Sequence, residues 1–302
     1  AIADGLVTVN GEVEKNNYKI RPGDEIVVIQ YTNPEYTTLK LEPLPLNIVY
    51  EDAHVLVLNK PANQVVHPGV GNFSGTLLNG IAYHLVNQDD SITEETLPRF
   101  GMVHRIDKNT TGLLVIAKNQ AAASHLAKQF FNHTVHRRYV SLVWGDVEQD
   151  EGTITGHIAR HERFRKMFDV YPDGDQGKHA VTHYKVLQRF QYVTLVECRL
   201  ETGRTHQIRV HMKHIGHTLF NDWEYGGDKI LKGTIYTKYK QFVDNCFEIC
   251  NRCALHAQQL GFIHPVTGQQ MMFETPLPTD MQQVIEKWQR YVAGKLGPQE
   301  IS

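Results

Sequence analysis

A single acidic residue, Asp107, lies in the polar segment GMVHRIDKNTTG at 101–112, directly before the apolar run LLVIA at 113–117. A carboxylate beside a buried strand needs solvent or a cationic partner, because an unpaired buried charge is unfavourable. Loops next to rigid strands often carry reactive residues, and the Thr-Thr-Gly sequence at 110–112 is typical of a tight turn. Such a carboxylate can serve as a nucleophile or a base. The alternative is a surface aspartate in a turn, which the local pattern alone favours.

A candidate partner for this carboxylate lies in a second polar motif, LETGRTHQIRVHM at 200–212. A glycine turn there leads into a predicted helix on which Thr205, Arg209 and Lys213 share one face at i, i+4 spacing. A planar guanidinium is well suited to keep a carboxylate ionised in a closed site. The sequence therefore offers Arg209 as a candidate partner for Asp107, although sequence alone does not show that the two meet.

Composition is that of an ordinary globular protein, with 302 residues, 41% hydrophobic and 21% charged. The net charge of −2 is unevenly distributed, since residues 1–100 carry −7 and the remainder +5. Basic clusters at 136–138, 160–166 and 203–214 together suggest a phosphate-binding footprint, although a solvated basic face is the commoner explanation for any one of them. No apolar run reaches membrane-spanning length, and the start has no signal-peptide pattern. Four cysteines are expected to be reduced thiols, which favours a cytoplasmic location.

The hydrophobic pattern predicts an α+β fold with a mixed, mainly antiparallel central sheet. Strands are predicted at 48–52, 54–60, 113–118, 138–145, 181–187, 192–200 and 255–263, and helices at 119–133, 279–294 and from near Thr205. The segment TNPEYTTLKLEPLPLN at 32–47 contains three prolines and is typical of a linker. We expect a small N-terminal unit at 1–35, a linker at 36–46 and a large domain at 47–302.

Five ordered motifs resemble those of the RluA/RluD-type pseudouridine synthases, which modify uridines in structured RNA. The resemblance runs from about residue 47 to 280. The motifs are NKPANQVVHPG (59–69), GMVHRIDKNTTGLLVIAK (101–118), HRRYVSLVWG (136–145), TGRTHQIRVHM (202–212) and LHAQQLGFIHPVTG (255–268). The stretch KHAVTHYKVL at 178–187 extends the likeness towards the large-subunit ribosomal enzymes of the RluD type. Residues 1–35 resemble the back half of the RNA-binding module shared with a small-subunit ribosomal protein of the S-four type.

The resemblance implies that Asp107 is the catalytic aspartate, that Tyr139 faces the target uracil and that Arg209 pairs with Asp107. It implies that Arg105 occupies or guards the space left by the flipped base. Further RNA or base-flipping contacts are expected from His104, Arg137, Arg204, His206 and Gln207. The reaction breaks the N1–C1′ bond of uridine and rejoins uracil through C5, which requires no cofactor and no metal. The implied partner is RNA, most specifically 23S ribosomal RNA, with no membrane and no obligate protein partner.

Departures from the family pattern are few. Ile106 and Thr111 stand where leucine and serine are more usual, and Asn221 stands where a glycine commonly precedes an aspartate. The first two are not expected to disturb the chemistry, whereas Asn221 bears on the geometry of a turn.

Several alternative interpretations remain open. The protein could instead be a non-catalytic RNA-binding or ribosome-assembly factor, or a synthase acting on transfer RNA. A glycoside or nucleoside hydrolase is disfavoured, because that chemistry normally uses two carboxylates and the matched motifs contain one. Three cysteines and a histidine in CFEICNRCALH at 246–256 suggest zinc, but the same spacing is that of one buried helix face, which we prefer. The segment 228–253 either contacts RNA or packs against the core.

Overall fold

The computed structural model describes residues 2, 5–28, 39–69, 71–171, 174, 176–234 and 236–295. Its dominant feature is a ten-stranded sheet in the order β4-β5-β6-β12-β7-β11-β10-β8-β9, with β13 paired to β12 outside this path. These strands are β4 (Ile48–Glu51), β5 (Val55–Lys60), β6 (Thr111–Ala117), β7 (His136–Trp144), β8 (Glu151–Arg160), β9 (Phe168–Tyr171), β10 (Lys178–Arg189), β11 (Val193–Leu200), β12 (Leu255–Ile263) and β13 (Gln270–Glu274).

Among the described strand pairings of this sheet, only β6 with β12 is parallel. The predicted mixed, mainly antiparallel sheet is therefore confirmed. The parallel pairing sets His256 opposite Thr111 and Ala257 opposite Gly112. It thereby fixes the end of the Asp107 loop against the middle of the sheet.

In the part of the chain that the structure describes, five α-helices cover the sheet: α1 (Leu77–Gln88), α2 (Gln120–Phe131), α3 (Gln207–His214), α4 (Thr237–Ile249) and α5 (Thr279–Lys295). Alternate residues of β6 belong to two different clusters, Leu114 with α1 and Leu113 with α2. A strand covered on both faces requires a continuous apolar run, which explains the sequence TGLLVIA. Helices α4 and α5 enclose a third cluster around Trp144 and Trp288.

Most predicted elements occur within a few residues of their predicted bounds, and β12 matches them at both ends. Two local predictions are wrong. Helix α3 begins at Gln207 with His206 as its left-handed N-cap, so Thr205 lies outside the helix that was expected to include it. Helix α4 ends at Ile249, so only Cys246 of the three clustered cysteines lies on it.

The segment 228–253 packs against the core through α4, which buries Tyr239, Val243 and Cys246. Helix α1 and strands β8, β9 and β13 were not predicted. The N-cap of α1 is a capping box in which Thr76 accepts from the amide of Asn79 and the Asn79 side chain accepts in return.

The N-terminal residues form a three-stranded antiparallel sheet of β1 (Val7–Val9), β2 (Glu12–Val13) and β3 (Ile26–Val28). Residues 29–38, which include the end of the predicted N-terminal unit and the first three residues of the predicted linker, lie outside the described residues. The described part packs on α1, where the Asn79 side chain donates to the Lys40 carbonyl at 2.8 Å and Leu46 joins the core. The division into module, linker and catalytic domain stays a prediction. Within the described residues, no helix is long and apolar enough to cross a membrane.

Candidate active site

A concavity of about 420 Å³ lies between the Asp107 loop, the end of α2, β7 and the start of α3. This is within the usual range for ligand sites, about 300–1,000 Å³. All nine residues predicted from the sequence line it: His104, Arg105, Asp107, Arg137, Tyr139, Arg204, His206, Gln207 and Arg209. The fold thus brings together residues that three separate motifs supply.

The loop that carries Asp107 is held in place by two buried cations. The Lys60 ammonium donates to the Lys108 carbonyl at 2.9 Å, and Arg252 Nη1 donates to the Asn109 carbonyl at 3.0 Å. The loop then closes as a turn, in which the Thr110 amide donates to the Asp107 carbonyl at 3.1 Å. The carboxylate is therefore presented by a backbone that is anchored at the two residues directly after Asp107.

Gly112 completes this anchoring. Its φ of 113° is a conformation that residues with a side chain rarely adopt, and an added Cβ would lie 2.2 Å from the Ala257 carbonyl oxygen. Thr111, a departure from the family pattern, places its hydroxyl 2.8 Å from Nδ1 of His256. The other departure, Ile106, is buried in the main core.

Lys60 is 1% exposed, and its ammonium also donates to the carbonyls of Pro61 at 2.7 Å and Gln64 at 3.1 Å. Burial lowers the pKa of Lys60 to about 7, with Arg252 acting in the same direction and Asp107 opposing it. Three carbonyl acceptors favour the ammonium form, since a neutral amine has only two protons to donate. Lys60 therefore fastens the early Lys-Pro loop to the Asp107 loop.

Arg209 is the centre of the charged network beneath Asp107. It is 5% exposed and forms a bidentate pair with Asp222, at 2.7 Å through Nε and 2.6 Å through Nη2. Nη2 also bonds Glu224, and the guanidinium lies 4.8 Å from the ring centroid of Tyr225. Burial disfavours the charge of Arg209, but its bonds to Asp222 raise its pKa above the usual value.

Asp107 is the third carboxylate that Arg209 contacts, after Asp222 and Glu224. Arg209 Nη1 lies 3.4 Å from Oδ2 of Asp107, and Nε2 of His206 lies 3.9 Å from the same oxygen. Within the described residues, Oδ1 of Asp107 accepts no side-chain hydrogen bond. The predicted ion pair of Asp107 with Arg209 is present, but it is longer than the pair of Arg209 with Asp222.

His206 caps α3 in a left-handed conformation with φ 57°. Its Nδ1 lies 2.8 Å from the Tyr225 hydroxyl, which leaves Nε2 facing Asp107. Burial lowers the pKa of His206, with the Asp107 carboxylate opposing that effect. A neutral imidazole between a carboxylate and a phenol can carry a proton on either nitrogen.

Tyr139 lies on β7, opposite Cys198 of β11 and Ala257 of β12, and is 9% exposed. Burial raises the pKa of Tyr139, and the nearby Asp107 carboxylate raises it further. The phenol therefore stays protonated and presents a flat, uncharged ring to the cavity.

His104 and Arg137 form one wall of the cavity. Nε2 of His104 accepts the Val115 amide at 3.0 Å, and its ring stacks on Phe130 at 4.3 Å. Burial lowers the pKa of His104 to about 3, so the ring is neutral at physiological pH. The Arg137 guanidinium lies 5.8 Å from the Phe130 centroid and donates weakly to the Glu201 carbonyl at 3.4 Å.

The remaining predicted residues differ in their freedom to contact a ligand. Gln207 is 3% exposed, and its amide bonds Thr202, the Arg204 amide, the Val181 carbonyl and Thr182. Arg204 donates through Nε to the His179 carbonyl at 3.0 Å. Arg105 is exposed on the rim, with no partner among the described residues.

Sequence reasoning did not identify four residues that support the site, namely Lys60, Asp222, Glu224 and Arg252. Asp222 and Glu224 belong to the FNDWEYGG segment at 220–227, where Asn221 departs from the family pattern. Asn221 adopts the left-handed turn at φ 55°, and its amide donates to the Cys250 carbonyl at 2.7 Å. The turn that aims Asp222 at Arg209 is therefore formed with asparagine in place of glycine.

Comparison with known proteins shows which family the chain belongs to. A family model described as RNA pseudouridylate synthase matches residues 54–214. The chain belongs to this family. The RluA/RluD-type resemblance is thereby confirmed, and with it the enzymatic class of RNA pseudouridine synthases, isomerases that act on RNA.

The relatives match over nearly the whole chain. A Bacillus subtilis protein named "Uncharacterized RNA pseudouridine synthase YlyB" is 47% identical over 285 residues, covering 94% of this chain and 86% of the relative. A Vibrio cholerae protein named "Ribosomal large subunit pseudouridine synthase D" is 42% identical over 282 residues, covering 93% of this chain and 82% of the relative. A structure of human RNA pseudouridylate synthase domain containing 4 aligns with a TM-score of 0.61 at 20% identity, covering 80% of this chain and 93% of that one, which supports the fold alone.

Proposed function

We propose that this protein converts uridine to pseudouridine in large-subunit ribosomal RNA, with Asp107 as the catalytic carboxylate. The observation that carries the proposal is one anchored carboxylate in a cavity of about 420 Å³, paired through Oδ2 with Arg209, while its Oδ1 has no side-chain partner among the residues that the structure describes. A carboxylate with one oxygen held and one available is suited to bond or deprotonate a substrate atom.

The proposed reaction conserves all the atoms of the nucleotide except for one exchanged proton. The N1–C1′ bond breaks, uracil turns within the cavity, and a C5–C1′ bond forms. The proton on C5 is lost to solvent and N1 gains one. Because this reaction transfers no net electrons, Asp107 and its neighbours need only hold charge, orient the base and move protons.

The base must leave its stack to reach Asp107, since the carboxylate lies within a cavity rather than on a protruding surface. Tyr139 offers a flat ring to the uracil. Arg105, exposed on the rim, is placed to occupy the space the base vacates. Arg137 and Arg204 add positive charge near the sugar-phosphate backbone, which positions RNA without specifying its sequence.

The ribosomal target is supported by relatives named as large-subunit enzymes at 40–44% identity. A transfer RNA substrate is the alternative within the same reaction. Stacking and local shape, rather than a fixed base code, select a single-stranded target. The choice of uridine therefore depends on the cavity rim and the basic surface around it.

The test is tritium release from [5-³H]uridine-labelled, unmodified large-subunit ribosomal RNA. We expect release by the wild type and none by Asp107→Asn, with RNA affinity unchanged within about twofold, because phosphate contacts dominate binding. The control is Asp244→Asn, which alters an exposed aspartate of α4 paired with Lys240 and outside the cavity. Release by Asp107→Asn would refute the catalytic assignment. Binding without release by the wild type would favour the assembly-factor alternative.

A further inference from the structure

Phe131, the last residue of α2, is an unusual member of the cavity wall because its side chain is 82% exposed. Single exposed hydrophobic residues are common on protein surfaces and need no explanation by themselves. The position is what distinguishes this one. Among the described residues, it is the only exposed large hydrophobic side chain that lines the cavity.

The two neighbouring phenylalanines of α2 have different environments. Phe130 packs inward under His104 and Arg137, at 4.3 Å and 5.8 Å, and forms part of the wall. Phe131 points away from that packing into solvent at the cavity mouth. An apolar ring is kept there although it contributes little to the core.

The backbone beneath Phe131 is well fixed. The Asn132 amide donates to the Lys128 carbonyl at 2.9 Å, and His133 follows with φ 58° and donates to the Phe130 carbonyl at 3.3 Å. A helix end closed by a left-handed residue turns the chain sharply into β7. The ring is therefore presented on a rigid element rather than on a long loop.

The charge around the mouth favours a polyanion. Among the described residues, Asp107 is the only acid that lines the cavity, whereas Arg105, Arg137 and Arg204 line it as cations. Arg209 also lines the cavity, but its charge is already paired with Asp222 and Glu224. Exposed aromatic rings next to a cationic track are the combination that binds single-stranded nucleic acid, because every base has a face that can stack.

We propose that Phe131 is a stacking subsite for an unpaired nucleobase adjacent to the target uridine in the RNA strand. This proposal rests on the proposed function. When the target leaves its stack, its neighbour loses a stacking partner, and the Phe131 ring replaces it at the cavity mouth. The subsite accepts any base and discriminates instead against RNA in which the neighbour remains paired in a helix.

The experiment compares four variants in the tritium-release assay on unmodified large-subunit ribosomal RNA: Phe131→Ala, Phe131→Trp, Phe131→Leu and the control Tyr236→Ala. Tyr236 is 75% exposed and lies outside the cavity, so it matches Phe131 in type and exposure. Phe131→Ala should raise KM by about fivefold, the lower end of base–aromatic stacking for an exposed ring. Most of the loss should appear in KM and not in kcat, because Phe131 does not reach the reacting atoms.

Rescue separates stacking from apolar contact. Phe131→Trp should restore the wild-type KM within about twofold, whereas Phe131→Leu should not, because leucine has no flat face. A second measurement uses a short RNA containing the mapped target, with an abasic site placed on either side in turn. Removal of the stacked base should weaken wild-type binding by about fivefold and leave Phe131→Ala binding unchanged.

The two proposals fail in different ways. If the wild type releases no tritium, the proposed function fails. If the wild type is active and Phe131→Ala matches Tyr236→Ala in KM, or Phe131→Leu rescues fully, the stacking subsite is refuted and the proposed function stands.

Discussion

Arg252 provides the sharpest test of how the catalytic loop is held. It is 1% exposed and forms a bidentate pair with Asp280 on α5, at 2.7 Å and 3.0 Å. Its Nη1 donates to the carbonyls of Asn109, Cys253 and Leu255, at 3.0, 3.1 and 3.1 Å. One side chain thus connects the first turn of a C-terminal helix, the start of β12 and the Asp107 loop.

The perturbation is Arg252→Met, which retains much of the side-chain volume and removes every donor. Breaking a buried ion pair by removing one partner costs about 3–5 kcal/mol. The Asp280 side chain is 26% exposed, so water can solvate the carboxylate that is left. We therefore expect the free energy of unfolding to fall by about 3 kcal/mol, the lower end of that range.

The same helix supplies a matched control. Arg290 pairs with Glu286 at 3.1 Å in an i, i+4 arrangement, with side chains 76% and 56% exposed. Arg290→Met makes the same chemical change in an exposed pair and should cost about 0.5 kcal/mol or less. Urea unfolding of the full chain measures both differences if the two variants share the wild-type m-value.

Activity reports the loop separately from stability. Without the bond to its carbonyl, Asn109 and the nearby Asp107 are free to shift, and a displacement of about 1 Å can reduce a rate roughly a hundredfold. Arg252→Met should therefore lose kcat at a temperature where it is fully folded, while Arg290→Met should retain it. If Arg252→Met and Arg290→Met lower the free energy of unfolding by amounts within about 1 kcal/mol of each other, the buried Arg252 pair does not stabilise the fold more than an exposed pair, and the argument is refuted.

Two further predictions concern the cavity. Burial lowers the pKa of His104 to about 3, against 6.5 in the unfolded chain. Between these two values only the unfolded chain gains a proton, so the free energy of unfolding decreases as the pH is lowered, by up to about 1.4 kcal/mol per pH unit. The variant His104→Gln can still accept the Val115 amide but does not titrate. Urea unfolding between about pH 6 and pH 4 should therefore show a free energy of unfolding that depends less steeply on pH in His104→Gln than in the wild type, by up to that amount. Equal pH dependence in the two proteins would contradict the prediction. Asp222→Asn should lower kcat at least tenfold, since Arg209 loses a bidentate partner, whereas Glu224→Gln, which removes one bond, should cost less. Single-turnover tritium release measures both, and a larger loss for Glu224→Gln would reverse the assigned order.

The sequence predicted the elements whose pattern has one physical explanation. The run LLVIA at 113–117 is short, follows a Thr-Thr-Gly turn and contains β-branched residues, which favours a strand covered on both faces, and the structure shows it so. Helix α1 was missed because LLNGIA at 77–82 suits a buried strand or a helix equally well, although the Thr76 and Asn79 capping box marks its start. Strand β8 was missed because its sequence EGTITGHIAR contains only two large apolar residues and two glycines, so the alternation that marks a half-buried strand is weak.

The site divides along a similar line. Long motifs identified nine of the residues that line the cavity, including Asp107 and Arg209, but not Phe131. What they did not reveal is how these residues are held, because the supporting contacts join distant parts of the chain. Lys60 reaches a carbonyl 48 residues away and Arg252 one 143 residues away. No local spacing predicts such contacts, since the pairing of β5 with β6 places Lys60 beside the loop and the pairing of β6 with β12 brings the segment before β12 to it.

The geometry of Arg209 explains why Asp107 can be both held and reactive. If Asp107 alone satisfied this buried cation, a tight bidentate pair would occupy both of its oxygens and compete with any substrate atom. Asp222 takes the bidentate position instead, at 2.6 and 2.7 Å, and leaves Asp107 a single contact of 3.4 Å through Oδ2. The anchoring of the carboxylate is thereby transferred to the backbone, where Lys60 and Arg252 fix the loop. Position is thus secured by bonds that the reaction does not touch, and one carboxylate oxygen remains available to the uridine.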